Sequence, residues 1–533
     1  MMSSCSTPSN VDTIFYNGII YTVSDSFDVV EAMAVKDGKV VSTGTLESLQ
    51  TIYVASKKVD LQGSFVYPGF YDAHCHFLGY GLGLQEADLV GATSFEEVIQ
   101  RLNQHQEKHS PTWLIGRGWD QNDWPEKAFP TNELLDQAFP DVPVYLTRID
   151  GHAAVANSKA LEIAGITSET QIQGGEIKTG TDGQPTGVLV DNAMQLVEKS
   201  IPVKNTDSKR QALIDAQQNC FNVGLTSVAD AGLSAEEVKL IQSMHEDGTL
   251  LMRINAWLNP SEENIETFVK KGVLQTEKLT VSAIKLYADG ALGSRGALML
   301  EPYTDDPNNT GLMMQPVDYY HKWARIAYEN GYQLATHCIG DSANRLILKV
   351  YGEFLQEKND RRWRIEHAQV VHPDDVSLFS KYSVVPSVQP THATSDMYWA
   401  DERLGADRLK TGYIYQELLQ QNGWLPNGSD FPVESINPLP GFYAAVTRQD
   451  VEGYPEGGFQ PENALTREQA LRAMTIWAAK AGFEEHLKGS LEPGKVADFV
   501  ILDEDIMKVD IQTIPKIKVR ETYIDGVSVA SNQ

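Results

Sequence analysis

No C-x-x-C pair occurs among the cysteines of this chain, and only four cysteines are present: Cys5, Cys75, Cys220 and Cys338. Few and far apart in 533 residues, they exclude a disulfide framework and fit a reducing compartment. Basic residues are outnumbered, 44 Lys and Arg against 72 Asp and Glu, for a formal net charge of −28. Nucleic acid and anionic membranes both need a positive surface, so neither is expected as a partner. Long apolar runs are also missing: nothing approaches the ~18 apolar residues of a membrane span. The opening "MMSSCSTPSNVDTIFYNG" has no basic segment ahead of an apolar core. No signal peptide is therefore expected, and the expected location is cytoplasmic.

What is present describes a globular protein. A hydrophobic fraction of 42% and a charged fraction of 22% are ordinary for one, and a chain of this length buries a core that needs no covalent staples. Residues 1–66 read as short strands, "TIFYNGIIYTV", "DVVEAMAVKDGKVVSTG" and "KKVDLQGSFVYPG", punctuated by Asn-Gly and Asp-Gly hairpin signals. Residues 485–533 look alike, with "GKVADFVILDED" and "KVRETYIDGVSVAS". The economical reading is one β-sandwich built from both chain ends.

Between them, 67–484 repeats an apolar strand, a loop and a helix. Eight strand candidates stand out: "SFVYPGFYDAHCH", "VGLTSVADAG", "LMRINAWLN", "LTVSAIKLYADG", "YQLATHCIGD", "RWRIEHAQ", "YSVVPSVQP" and "GWLPNGSDFPV". Helical spacing of three and four marks "SANRLILKVYGEFLQEK" and "REQALRAMTIWAAKAG". Parallel strands need crossovers, so the expected class is α/β, a (β/α)8 TIM barrel. The interval from His76 to Asp230 is too long for one unit. Residues 80–210 are read as an inserted α/β subdomain after the first barrel strand, placed to roof the catalytic face.

The stretch "YPGFYDAHCHF" sets His74 and His76 one residue apart. On a strand they face the same way, with Cys75 turned away, and two imidazoles on one side begin a metal site. Four further strand ends carry Lys285, His337, His367 and Asp430. Each has an ordinary reading alone: a salt-bridge lysine, a capping histidine, a turn aspartate. Together they form a set that a barrel rim rarely collects by chance. His392 in "QPTHATSD" is a candidate substrate contact. Asp230 and Glu366 are read as supporting groups, and His152 and the tryptophans of "GRGWDQNDWP" first as packing.

The order H-x-H, Lys, His, His, Asp resembles the amidohydrolase superfamily, in its YtcJ-like branch, which includes N-substituted formamide deformylases. The markers run almost the whole chain: "PGFYDAHCHF", "DGHAAVANSKAL", "DGQPTGVL", "IKLYADGALGSRGA", "THCIGDSAN", "RIEHAQ", "NGSDFPV" and "GSLEPGKVADFVILD". The resemblance implies a distorted barrel, a flanking β-sandwich and a metal-dependent hydrolase. It implies that Lys285 is carbamylated by carbon dioxide and bridges two divalent metals. His74, His76 and Asp430 would hold one metal, His337 and His367 the other. Zinc suits these ligands best, with iron, manganese or nickel as alternatives.

The expected chemistry is cleavage of a C–N bond in a small amide by metal-bound hydroxide, with Asp430 as proton shuttle. Ser294 and Arg295, after Lys285 in "DGALGSRGA", are candidate substrate contacts. A mononuclear deaminase of the same superfamily would leave Lys285 an ordinary amine and take about one metal per chain rather than two. A barrel without catalysis, acting as a binding or regulatory protein, is the reading from another class. A homodimer is suggested by analogy alone.

Overall fold

The computed structural model describes residues 8–109 and 111–532. Cys5, and the first part of the segment read as lacking a signal peptide, lie outside the described residues. Two sheets pack on each other from the chain ends. One contains Ser9–Tyr16, flanked by Ala32–Lys36 and Tyr53–Asp60, with Lys39–Gly44 at its edge. The other runs Val527–Ser531, Val519–Ile524, Phe499–Leu502, Phe65–Pro68, Ile19–Tyr21, Val29–Val30. Phe15, Met33, Val35, Val66, Phe499 and Tyr523 share their core. Asp37 and Gly38 both take positive φ, 50° and 73°, as do Asp525 and Gly526, 52° and 74°. These are two-residue hairpin turns that match the strand twist.

The strand read as "SFVYPGFYDAHCH" changes sheets halfway. Phe65–Pro68 belongs to the terminal sheet and Phe70–Cys75 is the first barrel strand. Gly69 sits at the switch, where a Cβ would lie 2.3 Å from the Thr226 hydroxyl. Six more parallel strands follow: Leu225–Leu233, Arg253–Leu258, Leu279–Tyr287, Gln333–Cys338, Arg364–His367 and Val385–Ser387. Helices such as Asp341–Leu355 cover the outside, burying Ala343, Ile347, Leu348, Val350, Tyr351 and Leu355 at helical spacing. Fully burying an aliphatic side chain such as Ile347 or Leu348 contributes roughly 1.5–3 kcal/mol. Ser234 and Glu237 form a reciprocal capping box that starts helix Ala235–Glu246. Arg253, at the foot of the third strand, is clamped by Asp498 at 2.5 and 2.9 Å, which ties the barrel to the terminal sheet.

The eighth position departs from expectation. The segment "GWLPNGSDFPV" forms no strand beyond a single parallel bridge, Val388 to Asn427. It closes the barrel by separate hydrogen bonds instead. Gly428 N donates to Val388 O on one side, and Ala73 N to Asn427 O and Asp430 N to His74 O on the other. Gly428 packs directly on the first strand, where a Cβ would come within 2.4 Å of His74 N. Asp430 itself turns to a φ of 60°.

Small side chains make room inside. Ala73, Ala229, Ala231, Ala283 and Ala335 cluster around Trp257, leaving the upper interior for polar groups. The register of the first strand on the second shifts between the pairs at Asp72 and Cys75. That bulge lets Ala73 and His74 both serve the interior.

Between the first and second barrel strands lies a six-stranded mixed sheet. Its strands are Ala87–Asp88, Leu114–Trp119, Val144–Arg148, Ala153–Ala156, Pro185–Asp191 and Gly175–Thr179. It has its own core, in which Trp119 and Trp124 pack against Leu89, Leu146 and Val190. Among the described residues no helix is long and apolar enough to cross a membrane.

Candidate metal centre

His74 is fully buried and held from behind. Its Nδ1 lies 2.5 Å from Glu366 Oε2, so Nδ1 carries the proton and Nε2 presents its lone pair to the barrel mouth. Glu366 is in turn bound by Arg364 Nη2 at 3.1 Å. Burial works against the Glu366 charge, but Arg364 and His74 hold its carboxyl down at about 2. It stays ionised and keeps orienting the ring.

Asp430 faces both histidines of the H-x-H pair. His74 Nε2 and His76 Nε2 each lie 3.3 Å from Asp430 Oδ1. On its other side, His392 Nε2 lies 4.0 Å from Asp430 Oδ2. Burial draws His76, His367 and His392 below their ordinary values, His367 well below. Burial thus favours the neutral imidazole in all three. Burial also opposes the charge of Asp430, yet His74 and His76 keep it well below the usual carboxylate range.

His367 terminates the sixth strand at a φ of 73°, and Ala368 follows it at 42°, both in the left-handed region. Its Nδ1 sits 2.8 Å from Gln389 Oε1, which leaves Nε2 free. His337 packs its ring 4.5 Å from that of His367. Its Nε2 lies 3.3 Å from Gly290 O and 3.5 Å from Asp289 Oδ1. Lys285 is buried with Nζ 3.1 Å from His74 Nε2. Burial lowers its amine to about 8, against the pull of Glu366 and Asp430.

These donors fit a divalent cation. The ligand atoms of His74, His76 and Asp430 lie within 4.8 Å of one another, and so do those of His367, His392 and Asp430. Asp430 Oδ1 and His392 Nε2 are buried without a hydrogen-bond partner, a costly state for polar atoms unless a cation sits among them. Nitrogen and carboxylate donors in this mixture suit zinc and its neighbours.

Above the centre opens a cavity of about 710 Å³. His337, His367, His392 and Asp430 line its floor, while Arg117, Arg148 and His152 reach it from the insertion. His152 Nδ1 pairs with Asp191 Oδ1 at 2.7 Å, and its ring stands 4.9 Å from that of His337. Ser294 and Arg295 are not brought there. Arg295 is engaged by Asp305 at 2.8 and 3.2 Å, Ser294 Oγ donates to Ala291 O at 3.3 Å, and neither lines the cavity. The loop turns at Arg295, φ 62°, and presents Ala291, Leu292 and Gly293 to the cavity instead. His392, read as a substrate contact, stands among the ligand candidates. Asp230, read as supporting, accepts from Phe77 N and Leu78 N at 2.9 and 3.2 Å.

Sequence reading passed over Gln389, Asp289 and Arg117. The first two follow a strand end by a residue or two, a position that could have flagged them. Arg117 lies between two glycines in a segment whose tryptophans drew the attention.

The profile of the amidohydrolase family matches residues 57–530. The chain is 32% identical to YtcJ of Bacillus subtilis, over 96% of this chain and 98% of that one. It is 25% identical to an N-substituted formamide deformylase of Arthrobacter pascens, over 97% and 98%. A solved structure described as an uncharacterized metal-dependent hydrolase from Pyrococcus horikoshii superposes with a TM-score of 0.77 at 29% identity, covering 94% of this chain and 99% of that one. The chain therefore belongs to the amidohydrolase family, as a YtcJ-like member built to work as a metal-dependent hydrolase.

Proposed function

We propose that this protein hydrolyses a C–N bond of a small amide, of the N-substituted formamide kind, with Asp430 as the proton shuttle. The observation that carries this reading is the convergence of four histidines on one buried carboxylate, whose Oδ1 lacks a hydrogen-bond partner, at the floor of a cavity. His74, His76 and Asp430 would hold one divalent cation and His367, flanked by His337 and His392, a second. Zinc is the best-suited ion, with a carbamate on Lys285 completing the bridge. Such a pair supplies an electrophile for the carbonyl oxygen and a water of lowered pKa.

The remaining work falls to the protein. Asp430 is ionised at neutral pH, the form that takes a proton from the attacking water. Its Oδ1 faces the histidine pair and its Oδ2 faces His392, and the same carboxylate would return the proton to the leaving nitrogen. The bond from Asp430 N to His74 O, 2.8 Å, holds the left-handed turn that aims it. Glu366 and Gln389 fix the ring orientation of His74 and His367. Leu84, Val90, Leu292, Trp399 and Ile436 give the cavity apolar walls for the substituent.

The alignment with the Arthrobacter deformylase, end to end, supports the substrate class. The test is release of amine and formate from a panel of N-alkyl and N-benzyl formamides by zinc-loaded protein, beside acetamides and cyclic amides. Turnover of formamides above the other classes is expected. A loaded protein that cleaves no C–N bond in the panel removes the reading.

A further inference from the structure

Two arginines line the cavity, and only one is balanced. Arg148 donates to Gln121 Oε1 at 2.7 Å and to Asp150 Oδ2 at 2.5 Å, and it also pairs with Asp120. Arg117 has no such partner. Its Nη2 donates to the backbone oxygen of Ile149 at 3.0 Å, its Nε is buried with no hydrogen bond, and among the described residues it forms no ion pair. Burial lowers its guanidinium, opposed by attraction from Asp430 first and then from Asp150 and Glu86. Arg117 therefore lines the same cavity as Asp430 without touching a carboxylate.

The placement is built rather than incidental. Arg117 rises between Gly116 and Gly118 on strand Leu114–Trp119. A Cβ on Gly118, φ 116°, would lie 2.7 Å from Val90 N, and one on Gly116 would lie 3.1 Å from Ala87 O. The neighbouring strand thus presses the arginine strand at both flanks. Gly151, φ 75°, lets the chain pass beneath the guanidinium, where a Cβ would stand 3.3 Å from Nη2.

Most of the acidic groups that line the cavity have partners of their own, the exposed Asp123 excepted. Asp120 and Asp150 are taken by Arg148. Asp396 accepts from Tyr413 Oη at 2.7 Å and Gln369 Nε2 at 3.0 Å, and Glu434 accepts from Ser395 Oγ at 2.6 Å. Glu86 has Lys204 at 3.8 Å. A half-buried guanidinium with open donors is unfavourable until an anion arrives, and its planar fork matches a carboxylate.

We propose that Arg117 is a specificity-determining residue that binds a carboxylate on the substrate's nitrogen substituent, so that the preferred substrates are N-acyl amines carrying an acid group, such as N-formyl amino acids. This deepens the proposed amide hydrolysis and rests on it for the identity of the scissile bond, but it is tested by binding.

The experiment compares two probes that differ only in the carboxylate, N-formylphenylalanine and N-(2-phenylethyl)formamide. Their affinities are measured by calorimetry on the full chain of determined metal content, for wild type, Arg117→Lys and Arg117→Met. A charge-assisted pair predicts at least about tenfold tighter binding of the acid by wild type. That preference should shrink in Arg117→Lys and vanish in Arg117→Met, while the decarboxylated probe binds all three alike. Equal binding of the two probes by wild type overturns the inference with no variant needed. So does a preference that survives in folded Arg117→Met. A carboxylate preference without turnover of either probe would uphold the arginine's role and count against amide hydrolysis alone.

Discussion

Glu366 Oε2 sits 2.5 Å from His74 Nδ1, and both side chains are sealed from solvent. The carboxylate fixes which nitrogen of His74 bears the proton and hence which one is free for a cation.

Replacing Glu366 with Gln keeps the shape but removes the charge that holds the tautomer. Zinc affinity is expected to fall ~10–100-fold, measured by competition with a chromophoric chelator, with the melting temperature followed in parallel. Unchanged affinity would show that His74 needs no orienting anion.

Asp430→Asn separates the two duties of that residue. Turnover is expected to drop ~10²–10⁴-fold, while metal content, determined by elemental analysis on the same sample, falls by less. Full activity with full metal would strip Asp430 of its part in proton transfer.

Lys285 gives a pH dependence with a definite sign. Its amine is drawn down to about 8 by burial, so the neutral form that reacts with carbon dioxide grows as pH rises through that value. Reconstitution with zinc and bicarbonate should load close to two metals per chain above about pH 8.5 and nearer one below about pH 6.5, as the lysine is then protonated. Lys285→Met should hold about one at either pH. Two equivalents in that variant would dismiss the carbamate bridge.

Much of this arrangement could be read from residue types at strand ends. His74 and His76 both face Asp430, although the strand ends at Cys75 and His76 opens the helix that follows, and Lys285, His337 and His367 lie in or at the end of apolar strands. What could not be read depends on tertiary accidents. Arg295 looks like a substrate contact until Asp305, ten residues on, is seen to hold it. His392 becomes a ligand candidate only because the short helix Pro390–Asp396 after the seventh strand sets it 4.0 Å from Asp430. The eighth segment reads as a strand because its apolar pattern is sound, yet it pairs only through the Val388–Asn427 bridge and separate hydrogen bonds, with Asp430 at positive φ. Arg117 carries no local signal at all: its meaning lies in the counter-charge that three-dimensional packing withholds.

The sheet switch at Gly69 bears on how the molecule is assembled. Phe65–Pro68 is sandwiched between Ile19–Tyr21 and Phe499–Leu502, and Tyr67 reaches Asp505 across 438 residues of sequence. The strand that delivers His74 starts straight after this junction. During synthesis its anchor has no second neighbour until almost the whole polypeptide has left the ribosome. Such distant pairing is slow to form, so the strand that carries His74 gains its second sheet neighbour late in folding.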